Sequence, residues 1–370
     1  MTKDVEARFV GLASATSAVA GHGAHPCQGL YWTPRGARPK TALIATHYNV
    51  DFAEHYLGPL MAARGFGFLG WNTRYRGAED LFNLEQALVD IGAGADWLRA
   101  AGAERLIILG NSGGASLMSA YQATATRGGA GLDASGRTAE ALAELPAADL
   151  FVSLNAHPGR PEVLTSWMDA SVVDETDPMQ TDPALDPFDA ANGPPYAADF
   201  VARYRAAQIA RNQHITDWAK GELERLALAG IPDRIFPLFR TWADLRFMDG
   251  AIDPSERKTP LCYAGDPARA NRGPLGIGRA NTLRTWLSMW SLETSRCRGA
   301  LHLPHVTVPA LVIQSTHDAG VFPSDGRAIF EALASADKRL ETPPGAHYFE
   351  DAPARREAVA DLIAGWIEAH

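Results

Sequence analysis

The stretch that decides the fold is Arg105-Leu-Ile-Ile-Leu-Gly-Asn-Ser-Gly-Gly-Ala-Ser116. An apolar run typical of a buried strand leads into Gly-x-Ser-x-Gly, and a helical pattern follows. Glycines two residues before and two residues after Ser112 permit a tight strand-to-helix turn, because no Cβ obstructs the reversal. The helix that follows directs backbone N–H groups and its positive dipole end toward the turn. The stretch therefore predicts a nucleophilic serine at position 112; an ordinary glycine-rich turn is the alternative.

The C-terminal part of the chain supplies the partners that such a serine needs. A serine hydroxyl is a weak nucleophile unless a base takes its proton, and the base needs an acid to orient it. Asp318 follows one predicted strand, and His347 lies in a glycine-rich loop after the next. The order Ser112, Asp318, His347 predicts a catalytic triad. Asp325 is the second candidate for the acid, but it lies inside the start of a predicted helix.

Together these segments resemble the α/β-hydrolase superfamily of serine hydrolases and esterases with a large inserted cap. The resemblance rests on the Gly-Asn-Ser-Gly-Gly turn, the Val-Pro-Ala-Leu-Val-Ile strand before Asp318 and the Gly-Ala-His loop, and it covers residues 30–160 and 305–370. It implies an α/β fold with a doubly wound, mostly parallel sheet of about eight strands. It also implies that Ser112 is the nucleophile, His347 the general base and acid, and Asp318 the group that holds the imidazole tautomer.

The oxyanion hole matches that family less closely. The backbone N–H of Gly113 is expected to be one donor, and the second usually comes from the loop after the third strand. Here that loop is Thr46-His47-Tyr48-Asn49-Val50, with tyrosine where glycine is common. We favour a backbone donor, Asn49 ahead of Tyr48; the Tyr48 hydroxyl is the alternative. The His47 side chain either lines the substrate pocket or braces the loop.

Strand and helix patterns alternate in residues 1–157 and 306–370, which predicts a hydrolase core in two parts around a helical cap at 158–305. The predicted core strands are Thr41–Thr46, Gly67–Trp71, Arg105–Leu109, Leu150–Leu154, Ala310–Gln314 and Arg339–Thr342. Helical patterns in the cap cover residues 200–229, 236–247 and 277–292. Five of the nine tryptophans lie in the cap. We expect Trp286, Trp290 and His157 to line a substrate pocket.

Composition restricts the class of partner. The chain has 370 residues, of which 46% are hydrophobic, and its net charge of -9 gives no electrostatic footprint for nucleic acid or an anionic membrane. The first residues lack a signal-peptide pattern, and the three cysteines lack metal-ligand or redox spacing. We therefore expect a cytoplasmic protein with a small-molecule acyl substrate and with no metal, cofactor, nucleic-acid or membrane partner. The sequence leaves a homodimer open.

The predicted activity is hydrolysis of a carboxylic ester, or a related acyl bond, of a small and partly apolar substrate. Haloalkane dehalogenases and epoxide hydrolases of this fold have aspartate where Ser112 stands, so those activities are disfavoured. Acyl transfer of the homoserine acetyltransferase type is the main alternative, and thioester or carbon–carbon bond hydrolysis would use the same triad. A non-catalytic receptor built on the fold is a third class, disfavoured because such proteins usually lack an intact triad.

Overall fold

The computed structural model describes residues 4–16 and 23–370. Its main sheet has eight strands in the order β1-β2-β4-β3-β5-β6-β9-β10; β1 and β2 are antiparallel to their neighbours, and the others run parallel. The strands are β1 (Val5–Leu12), β2 (Cys27–Pro34), β3 (Thr41–Thr46), β4 (Gly67–Asn72), β5 (Arg105–Ser112), β6 (Leu150–Ala156), β7 (Ile235–Pro237), β8 (Ala280–Thr282), β9 (Ala310–Ile313) and β10 (Lys338–Glu341). The predicted mostly parallel, eight-stranded sheet is confirmed.

Helices cover both faces of this sheet. They are α1 (Leu57–Ala63), α2 (Leu84–Ala100), α3 (Gly114–Thr126), α4 (Gly136–Ala143), α5 (Arg160–Trp167), α6 (Ala198–Leu228), α7 (Leu245–Met248), α8 (Pro267–Ala270), α9 (Leu283–Thr285), α10 (Gly299–His302), α11 (Pro323–Ala332) and α12 (Pro353–Ala369). One apolar cluster packs α2 and α3 on the sheet, and another packs α1 and α12 on the opposite face. Within residues 4–16 and 23–370, no helix has the length and apolarity needed to cross a membrane.

The sequence patterns place most core elements correctly. Each of the six predicted strands is present, with ends that differ by three residues or fewer. The apolar spacing that begins at Leu84 corresponds to α2, and Pro353 begins α12 as its position in the sequence predicts. Asp51 with Glu54 three residues later has the spacing of a capping box and predicts a helix start at Asp51; this is wrong, because α1 begins at Leu57. Asp51 instead accepts the Ala53 N–H and so stabilises a turn before the helix.

The cap lies between β6 and β9 and adds no strand to the main sheet. Its longest element is α6, with 31 residues, which matches the helix predicted at 200–229. The helix predicted at 236–247 is wrong except at its end, where α7 begins, and the helix predicted at 277–292 is present only at residues 283–290. The first segment begins in β7, which pairs with β8, and the second contains β8, the short α9 and a π-helical turn at Trp286–Trp290. Pro237 in β7 has no N–H to donate, which opposes a helix there.

Candidate active site

Ser112 lies at the turn between β5 and α3, with a φ of 59°. This left-handed conformation is uncommon for a residue with a side chain and is the strained geometry of a nucleophile elbow. The two flanking glycines are required by close backbone approach. A Cβ on Gly110 would lie 2.2 Å from Ala115 Cα, and a Cβ on Gly114 would lie 2.3 Å from Thr46 O. The sequence pattern around Ser112 therefore has a steric cause in the fold.

His347 and Asp318 form a buried pair beyond the ends of β10 and β9. His347 Nδ1 lies 2.7 Å from Asp318 Oδ2, and the other carboxylate oxygen accepts the N–H groups of Gly320 and Val321 at 2.9 and 3.0 Å. A carboxylate on Nδ1 favours the tautomer that leaves a lone pair on Nε2. Among the described residues His347 Nε2 is buried and has no hydrogen-bond partner. The ring is therefore arranged to accept a proton at Nε2.

Ser112 and His347 line the same cavity, which has a volume of about 490 Å³. Tyr348 also lines the cavity, and burial is the main cause that raises the pKa of its phenol to about 12. Catalytic hydrogen bonds are often formed only when substrate is present. The Ser112 hydroxyl is not hydrogen-bonded to His347 Nε2, which has no partner among the described residues.

The cap contributes a residue to this pair that the sequence analysis missed. The Tyr263 hydroxyl lies 2.7 Å from Asp318 Oδ1 and 2.7 Å from His347 Nδ1. Burial and the neighbouring Asp318 raise the pKa of Tyr263 well above its ordinary value, so the phenol stays protonated and can donate to the carboxylate. No motif marks Tyr263 in the sequence. Its contact with His347 joins residues 84 positions apart and depends on how the cap docks.

The structure also separates the two candidate acids. Asp325 Oδ2 accepts the Phe322 N–H at 2.9 Å at the start of α11, and Asp325 Oδ1 lies 3.6 Å from Arg246. Its carboxylate is therefore engaged in capping a helix and in an ion pair. Asp318, and not Asp325, is hydrogen-bonded to His347. The preference for Asp318, based on its place after a strand, agrees with this geometry.

The loop after β3 differs from the sequence expectation. The Tyr48 hydroxyl lies 3.0 Å from Ser116 Oγ in the protein interior, so the alternative that this hydroxyl reaches the oxyanion is wrong. The Asn49 N–H donates to His47 Nδ1 over 3.5 Å and is thus directed at a ring in its own loop. That direction disfavours Asn49 as the second donor. Asn49 and His47 do line the cavity, whereas Tyr48 does not.

Two tryptophans line the cavity, but they are not the pair that the sequence predicted. Trp167 and Trp242 form part of the wall, with ring centroids 4.8 Å apart. Trp286 and Trp290 are fully buried elsewhere, so their assignment to the pocket is wrong. Trp286 Nε1 donates to Thr216 in α6, because the π-helical turn presents this ring to the cap interior. The observed wall is aromatic, as expected, but it comes from α5 and the segment before α7.

The cavity wall also carries polar groups, one of which, His157, packs against Trp167. His157 lines it as expected; burial, with the nearby His347 and Arg160, holds the pKa of His157 well below its ordinary value. Arg160 also lines the cavity and pairs with Glu79 at 2.5 Å. Arg160 was not predicted to be a site residue, although its place shortly after β6 is a positional signal for the ligand-binding edge of the sheet. Across residues 4–16 and 23–370, no group of three His, Cys, Asp or Glu side chains could hold a metal ion.

Comparison with known proteins places the fold. No protein-family model and no curated protein matches the chain. Among solved structures, the chain is similar to DcsB in complex with its substrate analogue, with a TM-score of 0.53, 12% identity, and coverage of 98% of this chain and 99% of that one. It is also similar to the α/β hydrolase GrgF from Penicillium sp. sh18, with a TM-score of 0.51, 12% identity and 97% coverage of both chains. The chain has the α/β-hydrolase fold.

Proposed function

We propose that this protein is a serine hydrolase that cleaves a carboxylic ester, or a related acyl bond, of a small and partly apolar molecule. The observation that carries the proposal is the shared cavity. A serine in a nucleophile-elbow conformation opens onto it together with a histidine whose Nδ1 is bonded to a buried carboxylate and whose Nε2 is unpartnered among the described residues. This is the arrangement that activates a serine hydroxyl.

The reaction follows from these positions. Ser112 Oγ forms a bond to the substrate carbonyl carbon, its proton passes to His347 Nε2, and the carbonyl electron pair moves onto oxygen. The tetrahedral intermediate collapses, the leaving alcohol takes the proton from His347, and an acyl group remains on Ser112. Water, deprotonated by the same imidazole, then releases the acid. Asp318 stabilises the imidazolium formed in each half of the reaction.

The cavity supports the proposed size and polarity of the substrate. A volume of about 490 Å³ is that of a small-molecule pocket. Trp167 and Trp242 provide apolar area on the cap side, and His47, His157 and Arg160 provide polar groups near the nucleophile. A substrate with an apolar acyl or alcohol portion and a central ester would place each part against matching groups.

The first test is covalent labelling with a fluorophosphonate, followed by a screen of esters, lactones, amides and thioesters. We expect the wild-type protein to be labelled on Ser112 and to hydrolyse a short activated ester. Ser112→Ala should lose labelling and lower kcat by several orders of magnitude, while thermal unfolding changes little because the side chain contributes little packing. Full activity of this variant would refute the proposal.

The same assay separates hydrolysis from acyl transfer. Each ester is incubated with and without a panel of acceptor alcohols, and the products are identified by mass spectrometry. Hydrolysis predicts free acid at a rate independent of the acceptor. Product formation that requires an acceptor alcohol would instead support an acyltransferase acting through the same acyl-serine.

A further inference from the structure

Gly113, the residue after the nucleophile, is closely approached by two nitrogen-bearing side chains. A Cβ at Gly113 would lie 2.9 Å from Arg160 Nη1 and 3.0 Å from His47 Nε2. Any other residue at this position would therefore push one or both side chains away. In any residue the Cβ and the backbone nitrogen are both bonded to Cα. Side chains that lie this close to the Cβ position of Gly113 therefore also lie close to its N–H. That N–H is the expected first donor of the oxyanion hole.

The hydrogen bonds of His47 fix its tautomer. His47 Nδ1 accepts the N–H groups of Asn49 and Val50 at 3.5 and 3.4 Å. Burial and the neighbouring Arg160 hold the pKa of His47 well below its ordinary value, so the ring is neutral at pH 7. A neutral imidazole that accepts at Nδ1 carries its hydrogen on Nε2. His47 Nε2 is therefore a hydrogen-bond donor directed toward Gly113.

This donor has no partner within the described ranges 4–16 and 23–370. His47 is only 6% exposed, yet it lines the cavity, and its Nε2 makes no hydrogen bond to another described group. His47 Nε2 is not one of the fully buried atoms without a partner, so it is accessible from the cavity and can donate to a ligand there. A substrate oxygen placed at Gly113 would supply the missing acceptor.

Arg160 is held in place on the same side of the nucleophile. Its Nη2 donates to Glu79 Oε1 at 2.5 Å, and its guanidinium lies 4.4 Å from the centroid of the Trp290 ring. Arg160 Nη1, the atom beside Gly113, has no hydrogen-bond partner in the described part of the chain. Trp290 thus lies behind the cation and not in the cavity wall. The ion pair and the ring leave Nη1 free to face the site.

We propose that the His47 Nε2–H is the second donor of the oxyanion hole, beside the Gly113 N–H, with Arg160 Nη1 adding a fixed positive charge next to it. The proposal rests on the acyl-hydrolase function above. When Ser112 adds to the carbonyl carbon, the carbonyl electron pair moves onto oxygen, and this oxygen accepts hydrogen bonds from both donors. His47 transfers no proton; it lowers the energy of the charge, which returns to the carbonyl when the leaving group departs.

Two conservative substitutions of His47 separate catalysis from loop bracing. The amide nitrogen of His47→Gln can occupy the place of Nε2 and donate, whereas the amide oxygen of His47→Asn can occupy the place of Nδ1 and accept the Val50 N–H. We expect His47→Asn to lower kcat by about 10²–10³-fold with little change in KM, as for loss of one oxyanion donor. His47→Gln should keep kcat within about tenfold of wild type. The opposite order, or equal kcat values, would overturn the proposal.

A matched pair controls for the loss of a buried imidazole. His302 Nε2 donates to Arg296 O away from the cavity, and His302→Asn and His302→Gln should leave kcat unchanged. If His47→Asn fails to fold, Gly113→Ala tests the same contact from the other side. Its Cβ should displace both side chains and lower kcat at least tenfold; an unchanged kcat would contradict the proposal.

Labelling of the wild-type protein keeps this test independent of the proposed function. If wild-type Ser112 reacts with the fluorophosphonate and turns over an ester, the proposed function stands. A His47→Asn variant as active as wild type would then overturn only the oxyanion assignment. If the wild-type protein neither reacts nor turns over any acyl substrate, the proposed function itself fails.

Discussion

Removing the Tyr263 hydroxyl tests whether the cap takes part in positioning the proposed triad. In Tyr263→Phe the Asp318 carboxylate loses one donor but retains the Gly320 and Val321 N–H groups and His347. A hydrogen bond to a charged group contributes about 1.5–3 kcal/mol, and the three remaining donors favour the lower end. Because about 1.4 kcal/mol corresponds to a factor of ten, we expect kcat/KM to fall about tenfold.

The same change has a predicted sign on the pH profile. Without the phenol, one hydrogen bond that partly offsets the negative charge of Asp318 is lost. The carboxylate then stabilises a positively charged imidazolium more strongly. The acid limb of the kcat/KM profile should therefore move to higher pH. Initial rates on a short activated ester, measured across the acid limb, give both quantities.

Tyr204→Phe is the matched control for this experiment. The Tyr204 hydroxyl also makes a short hydrogen bond, to Ala243 O at 2.8 Å. This tyrosine lies inside the cap and makes no hydrogen bond with Asp318 or His347. We expect it to affect thermal stability without moving the pH profile. If Tyr263→Phe keeps both the wild-type acid limb and a kcat/KM within twofold of wild type, the positioning role of Tyr263 is refuted.

Three further predictions address the acid, the pocket and acid stability. Asp318→Asn should lower kcat by up to about 10⁴-fold, and Asp325→Asn should mainly lower the melting temperature; steady-state rates that reverse this order would show that the acid is misassigned. Trp242→Ala should raise KM for a bulky ester more than for a short one, whereas Trp286→Ala should leave the ratio of the two KM values unchanged. Equal ratios in the two variants would show that Trp242 does not contact the substrate. Burial lowers the pKa of His302 from 6.5 to about 4. Below pH 6.5 the unfolded chain therefore binds a proton that the folded chain does not, and the free energy of unfolding should fall as the pH is lowered from 6.5 to 4. His302→Gln should flatten that fall in denaturant titrations, and an unchanged pH dependence would argue against it.

The elements that could be predicted from the sequence are those whose causes are local. The glycines around Ser112 are required by backbone contacts within a few residues and across one neighbouring strand, so the turn could be identified from spacing alone. The apolar spacing of α2 and the proline that begins α12 likewise act within one helix. The order of Ser112, Asp318 and His347 was readable because each follows a strand, and parallel strands end at one edge of the sheet.

The set of side chains that meet in the site could not be predicted in this way, because it depends on long-range packing. The sequence could count the cap tryptophans, but a π-helical turn directs Trp286 inward while Trp242 faces the cavity. Tyr263 and Arg160 lie in segments without a motif, and their contacts with Asp318 and Glu79 span 55 and 81 positions. Such contacts depend on how the cap docks on the sheet, which is set by packing summed over many residues and not by any local pattern.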